Sequence, residues 1–275
     1  MSANHFTADC TGSSLALDEL GAALAAGRIG KKFHYFAEVA STNAHARALA
    51  KQGAAESEIV IAEAQSQGRG RLGRRWQSPP YANLYFSVIL RPKLAPADAP
   101  QITLMAAVAV VETVGSFIPQ TANIKWPNDI LVDGKKLAGI LTEAALTSER
   151  VEYVILGIGV NLNYRVDQMA EEIRARATSI AELTGKLANR ESFLGRLIQA
   201  LDRCYGELEE SGFEPMARRW SAHFALLGRR VRVELLDQVV SGRARGIDRD
   251  GALVIEDETG ARHRVIAGDV IPLEC

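Results

Sequence analysis

Cysteine, histidine and aromatic residues are scarce in this chain, and each shortage removes a class of chemistry. Of 275 residues, three are cysteine and five histidine, and aromatics make up 6%. Cys10, Cys204 and Cys275 stand far apart with no Cys-x-x-Cys pair. That excludes a disulfide framework and a thiolate zinc site, and it points to a reducing compartment. The histidines are scattered, so no Ser-His-Asp or Cys-His arrangement emerges. No Gly-x-x-x-x-Gly-Lys-Ser/Thr run is present, so this is not a P-loop enzyme. A basic-then-apolar leader is missing, and the longest apolar stretch, around Leu104 to Val111, is too short to span a bilayer. Charge excess is missing too: 32 basic against 33 acidic residues leave a net charge of -1. A general nucleic-acid binder usually carries a basic surplus. The expectation is a cytoplasmic, soluble protein with no membrane contact and no DNA binding.

What is present is concentrated. Gly68-Arg69-Gly70-Arg71-Leu72-Gly73-Arg74-Arg75-Trp76 places four arginines and three glycines in nine positions. Ile59-Val60-Ile61-Ala62 before it reads as a strand, and Pro79-Pro80 after it blocks regular structure. Such a loop is costly, because like charges crowd and glycines lose extra entropy on ordering. It makes sense if an anion arrives: glycine N–H groups approach oxygens closely, and arginine forks hold phosphate or carboxylate. Trp76 offers a flat face for a ring. The plain alternative is a solvated basic loop.

With 47% apolar content, the length allows one large domain with or without a small one. Leu15 to Ala26 reads as a short helix. Ser41-Thr42-Asn43 precedes a helix pattern running to Lys51; its hydroxyls fit an N-cap and also an anion site at a helix N-terminus. Leu84 to Leu90 reads as a central strand buried on both faces, and Ile102 to Phe117 as a core-packed helix. Pro127 predicts an extended Trp126, and Asn128-Asp129 a turn. Asp133-Gly134 is a hairpin signal, and Gly139 marks a bulge or a close approach. Gly157-x-Gly159 lacks the third glycine and following helix of a dinucleotide fingerprint. Residues 168–184 and 190–210 read as helices. From Arg229 short alternating β runs predict a small appended barrel. The expected fold is α+β, with residues 1–30 as an extension, 31–227 as the main domain and 228–275 as the barrel.

Lys125 ends a strand next to Trp126. Alone it reads as a surface residue. Beside an arginine–glycine loop from a neighbouring strand, it suggests positive groups converging on a leaving pyrophosphate and an attacking carboxylate. Such transfer needs positioning and neutralisation more than a nucleophile from the protein.

At this point a resemblance becomes specific. The arginine–glycine loop, Lys125-Trp126-Pro127-Asn128-Asp129, Lys136-Leu137-Ala138-Gly139-Ile140-Leu141 and Gly157-Ile158-Gly159-Val160-Asn161 occur in this order. Together with Ser41-Thr42-Asn43 and Gln65, they resemble the biotin protein ligases across residues 35 to 165. The resemblance implies a class II synthetase-like catalytic domain with a mixed sheet and a C-terminal SH3-like barrel. It implies a two-step reaction using ATP and magnesium (Mg2+): biotin becomes biotinyl-5′-AMP, then passes to a lysine of a biotin carboxyl carrier protein of acetyl-CoA carboxylase. By that analogy Ser41, Thr42, Asn43 and Gln65 bind the biotin head group. Arg69, Gly70, Arg71 and Lys125 hold the carboxylate and phosphates, with Lys125 and Arg69 the residues closest to the chemistry. Gly68, Trp76, Asn128, Gly139 and Asn161 lie on the adenylate side. The metal ligands stay unassigned, and a monomer or weak homodimer is expected. Leu72 departs from the family pattern, where a further positive residue often stands. Residues 1–30 leave too little chain for the winged helix of the bifunctional members, which predicts a single-function ligase. Two alternatives remain: a lipoate or octanoate ligase or transferase on the same fold, and a biotin-sensing repressor.

Overall fold

Alternating burial builds the main sheet. In β2 (Glu58–Gln65), Ile59 and Ile61 point into the larger core, while Val60 points the other way onto a helix. The computed structural model describes residues 14–16, 24, 27–234 and 239–273; the helix expected from Leu15 to Ala26 lies mostly outside them. β1 (Lys32–Val39) runs parallel to β2. β3 (Leu84–Leu90) follows antiparallel to β2 and is buried throughout, as expected for a central strand. β4 (Ala122–Lys125), β5 (Asp129–Val132), β6 (Lys135–Leu146) and β7 (Val151–Val160) complete a seven-stranded mixed sheet ordered β1-β2-β3-β7-β6-β5-β4.

Helix α1 (Thr42–Lys51) covers one face of this sheet through Ala46 and Ala50, against Val60, Ile89 and Ile155. The other face packs on α2 (Gln101–Gly115), whose apolar residues are buried almost all round. Pro96–Gly115 is long and apolar enough to cross a membrane, but it is the core helix here, mostly buried inside the protein. Two short helices, α3 (Glu171–Arg174) and α4 (Ile180–Thr184), replace the single helix expected over 168–184. The chain breaks there because Arg176 and Thr178 form backbone hydrogen bonds to Lys136 of β6, a sheet contact that local helix propensity does not report. Helices α5 (Arg190–Ser211) and α6 (Phe213–Ala222) sandwich α2 from outside.

The C-terminal strands are β8 (Arg230–Glu234), β9 (Val239–Ile247), β10 (Leu253–Glu256), β11 (Arg262–Val265) and β12 (Asp269–Pro272). The last was not anticipated from its short pattern. They form an antiparallel sheet ordered β11-β10-β9-β8-β12. Among the described residues β11 and β12 do not pair, so the expected barrel is an open sheet here. This unit docks on the main core. The Trp126 indole N–H donates to the Gly251 carbonyl at 3.1 Å, and Gln101 donates to the Arg249 carbonyl at 3.0 Å.

Candidate active site

Register creates the floor of the site. Pairing places Ala62, Tyr85, Gly159, Gly139, Asp129 and Lys125 in one row across β2, β3, β7, β6, β5 and β4. The adjacent row holds Val60, Ser87, Gly157 and Leu141. Both rows face the side that α1 partly covers. Where glycines replace side chains, the floor drops and something else fills the space.

At one end, the N-terminus of α1 sits on the sheet. Ser41 is its N-cap, accepting from the Ala44 N–H at 3.5 Å. Both the Thr42 N–H and its hydroxyl donate to the Gln65 side-chain carbonyl, at 2.9 and 3.2 Å. The Gln65 amide then donates to Ser78 at 3.0 Å. The Ser87 hydroxyl lies 2.8 Å from Thr42 Oγ1 and 2.7 Å from Asn43 Oδ1. The Asn43 amide donates to the Leu141 carbonyl (3.0 Å) and to Glu143 (2.9 Å). Ser41, Thr42 and Asn43 are all buried. They form a neutral polar cluster under a helix N-terminus, where the aligned peptide dipoles favour an anion. Gly157 is required beneath it: a Cβ there would stand 2.0 Å from Asn43 Oδ1.

The arginine–glycine loop lies within residues 66–83, between β2 and β3. Gly68 accepts from the Trp76 N–H at 2.9 Å, and the Gly70 N–H donates to Arg74 at 2.7 Å, which pins the loop into a narrow turn. At its tip Leu72 (φ 55°) and Gly73 (φ 73°) are both left-handed. That conformation is uncommon for leucine, whose side chain is exposed. A Cβ at Gly68 would stand 2.5 Å from the Trp76 carbonyl, so this position needs glycine for close packing. Arg69 donates to Glu143 at 3.1 Å and Arg71 to the Asn128 side-chain oxygen Oδ1 at 3.2 Å. Burial lowers the Arg71 guanidinium below its ordinary value, partly offset by Asp269 and Asp129. Arg74 pairs with Asp269 of β12, tying the loop to the C-terminal sheet. A cleft of about 380 Å³ opens between Arg69–Arg74, Leu141 and Glu143.

Trp76 lies on the glycine floor. A Cβ at Gly159 would stand 2.6 Å from its ring and one at Gly139 2.9 Å. The buried indole N–H finds no partner among the described residues. The Lys136 ammonium is 5.2 Å from the ring centroid and 2.6 Å from Asp129 Oδ1.

Residues 35–161 match the biotin/lipoate A/B protein ligase family, and residues 226–271 match the biotin protein ligase C-terminal domain. A biotin–[acetyl-CoA-carboxylase] ligase of Paracoccus denitrificans is 37% identical over 223 residues, covering 80% of this chain and 92% of that one. The chain belongs to the biotin protein ligase family. A bifunctional ligase/repressor BirA of Bacillus spizizenii is 35% identical, over 88% of this chain and 74% of the relative. Among solved structures, the biotin protein ligase of Aquifex aeolicus in complex with biotin and ATP superposes with a TM-score of 0.74 at 29% identity, covering 88% of this chain and 98% of that one.

Within this ligase fold the structure brings most of the anticipated residues together, by routes that differ from expectation. Lys125 was expected on a strand neighbouring the loop. Instead β4 is the far edge of the sheet, with β3, β7, β6 and β5 between it and β2. The loop bridges that distance by crossing the glycine floor, and Arg71 reaches Asn128, three residues beyond Lys125. Lys125 is half-buried and has no partner among the described residues. The turn after it spans Trp126–Asn128, and the Trp126–Pro127 bond is cis. Gly139 was expected to admit a ligand against its backbone; here the Trp76 ring and the Lys136 side chain take that space. Asn161 is buried and held by Asn83 (3.4 Å) and the Thr178 carbonyl (3.1 Å). Sequence reasoning missed Ser87, Glu143 and Lys136. Ser87 is the lone small polar residue in the apolar interior of β3, and Lys136 lies inside a motif already singled out, so both carried a signal. Glu143 carried none, since its role depends on which segments β6 meets.

Proposed function

We propose that this chain is an ATP-dependent biotin–protein ligase. It joins biotin to ATP as biotinyl-5′-AMP, then transfers biotin to one lysine of a biotin carboxyl carrier domain of acetyl-CoA carboxylase. The observation that carries the reading is the junction of a neutral polar pocket (Ser41, Thr42, Asn43, Gln65) with an arginine loop lying over a glycine floor. Biotin has a neutral polar head and one carboxylate, and this junction offers partners to each in that order. The names of the Paracoccus relative and the Aquifex structure support the acceptor, the biotin and the ATP.

In the first step a biotin carboxylate oxygen bonds to the α-phosphorus as the bond to the β-phosphate oxygen breaks, releasing pyrophosphate. The charge that builds there is met by Arg69, Arg71, Lys125 and Lys136; preorganised cations are worth most in a site closed to water. In the second step a carrier amine attacks the acyl carbon, loses its proton, and AMP leaves. Gly68 and Gly70 let the loop backbone fold close over the adenylate. Trp76 supplies a flat surface on the adenine side, beside Gly139, Asn128 and Asn161. Magnesium supplies charge neutralisation on the triphosphate. No cluster of three metal-ligating side chains occurs among the described residues. We read the C-terminal sheet as SH3-like, the boundary as lying near Gly228, and the protein as a cytoplasmic monomer or weak homodimer.

Biotin-dependent exchange of labelled pyrophosphate into ATP tests the assignment. Exchange that requires biotin and collapses in Lys125→Ala, Lys136→Ala and Arg69→Ala supports it. Exchange with lipoate or octanoate but not biotin moves the substrate, and no exchange with any of these acids overturns the ligase reading.

A further inference from the structure

Glu143 is out of place in a site built for anions. Its carboxylate lines the cleft under the arginine loop, among groups suited to hold a carboxylate and phosphates. It accepts from Asn43 at 2.9 Å and from Arg69 at 3.1 Å, and it pairs with Arg47 of α1. One acid therefore ties together the polar pocket, the helix above it and the loop. Its side chain is 22% exposed, and that of Arg69 is 42% exposed. Both ion pairs are part-solvated, the Arg47 side chain being 37% exposed, and of the two arginines it is Arg69 that lines the cleft where a substrate carboxylate would arrive.

We propose that Glu143 is a positioning residue that acts as a resident stand-in for the substrate carboxylate. Without substrate it neutralises Arg69 and holds the loop over the pocket. When biotin enters, the biotin carboxylate takes Arg69, and Glu143 keeps Asn43 and Arg47 in place. The loop is thereby kept near its working position at the expense of some biotin affinity. A neutral biotin analogue cannot displace Glu143 and gains nothing from its removal, so Glu143 sets how strongly the pocket selects the free acid. This proposal rests on the ligase reading above.

The test is isothermal titration of biotin and of biotinol, its uncharged alcohol, into the wild type, Glu143→Gln, Arg69→Ala and the double variant. Glu143→Gln is expected to tighten biotin about 2- to 5-fold relative to biotinol, the scale of a part-exposed ion pair. In the Arg69→Ala background the same substitution is expected to leave that ratio unchanged. If Glu143 only supports Asn43, its loss weakens both ligands alike and the ratio stays at the wild-type value; that overturns the proposal. A ratio that shifts equally with and without Arg69 also overturns it, because through-space repulsion then suffices. Glu143→Ala serves as the second variant, since the ratio cancels any shared loss of pocket order. Failure of the wild type to bind biotin strikes the ligase reading instead, and it is distinguishable from both outcomes.

Discussion

Gly157→Ala is expected to damage the protein through a single contact. The new Cβ would stand 2.0 Å from Asn43 Oδ1 and 2.8 Å from Asn43 Cγ. Asn43 has little freedom to retreat, because Ser87, the Leu141 carbonyl and Glu143 hold it on three sides. Either the strand and helix move apart, at about 1–3 kcal/mol for an overpacked site, or Asn43 swings out and gives up hydrogen bonds worth about 1 kcal/mol each. Alanine in a strand is otherwise favoured over glycine by roughly 0.5–1 kcal/mol, which offsets only part of the loss. The net expectation is a destabilisation of about 1–2 kcal/mol, or roughly 2–8 °C in melting temperature for a chain of this size. Urea unfolding and thermal melts measure the first effect, and titration with biotin measures the accompanying loss of the polar pocket. Adding Asn43→Ala removes the obstructing amide, so Gly157→Ala in that background is expected to cost less than about 1 kcal/mol. Equal cost in both backgrounds would refute the reasoning.

The same logic at the next row predicts that Gly159→Ala lifts the Trp76 ring from the floor, since the added Cβ would stand 2.6 Å from it. Its tryptophan emission should shift to the red, and its ATP requirement in pyrophosphate exchange should rise more than its biotin requirement. Glu63 and Arg190 form an almost fully buried ion pair at 2.6 Å, so Arg190→Ala, which strands a buried carboxylate, is expected to cost about 3–5 kcal/mol by urea unfolding. Burial alone would raise the Glu63 carboxyl, but Arg190 and the Tyr35 hydroxyl win and hold it below its ordinary 4.5. A depressed carboxyl contributes stability that is complete above about pH 4.5 and is lost as pH falls through its lowered value. Stability measured from pH 7 downward should therefore begin to fall below that point, and a flat profile to pH 3 would contradict it. Cutting the Arg74–Asp269 link with Asp269→Asn, an exposed pair, should change stability by less than about 1 kcal/mol, while trypsin should cleave the loop faster in the variant.

Much of this protein is written locally. The apolar run Leu84–Leu90 cannot be anything but an interior strand, and Ala- and Val-rich Gln101–Gly115 is buried all round as a helix of that composition must be. Ser41 caps α1 because its side-chain oxygen sits three residues before an amide that needs an acceptor. The arginine–glycine loop and the Lys125, Lys136 and Gly157 motifs are each contained in one short segment, so residue types alone pointed to anion chemistry and to the family. What the tertiary structure decided is which of these segments meet. Lys125 and the loop belong to strands on opposite sides of the sheet centre, and only the register of three strand pairs sets Lys125 in the row that also holds Gly139 and Gly159. Gly139 read as a bulge or a close approach, and Gly157-x-Gly159 as an incomplete dinucleotide fingerprint; in the fold their absent side chains make room for Asn43 and Trp76, residues far away in the chain. Glu143 became visible only when α1, β6 and the loop converged on it. Pairing register and side-chain convergence depend on contacts between segments distant in sequence, and local propensity carries no record of them.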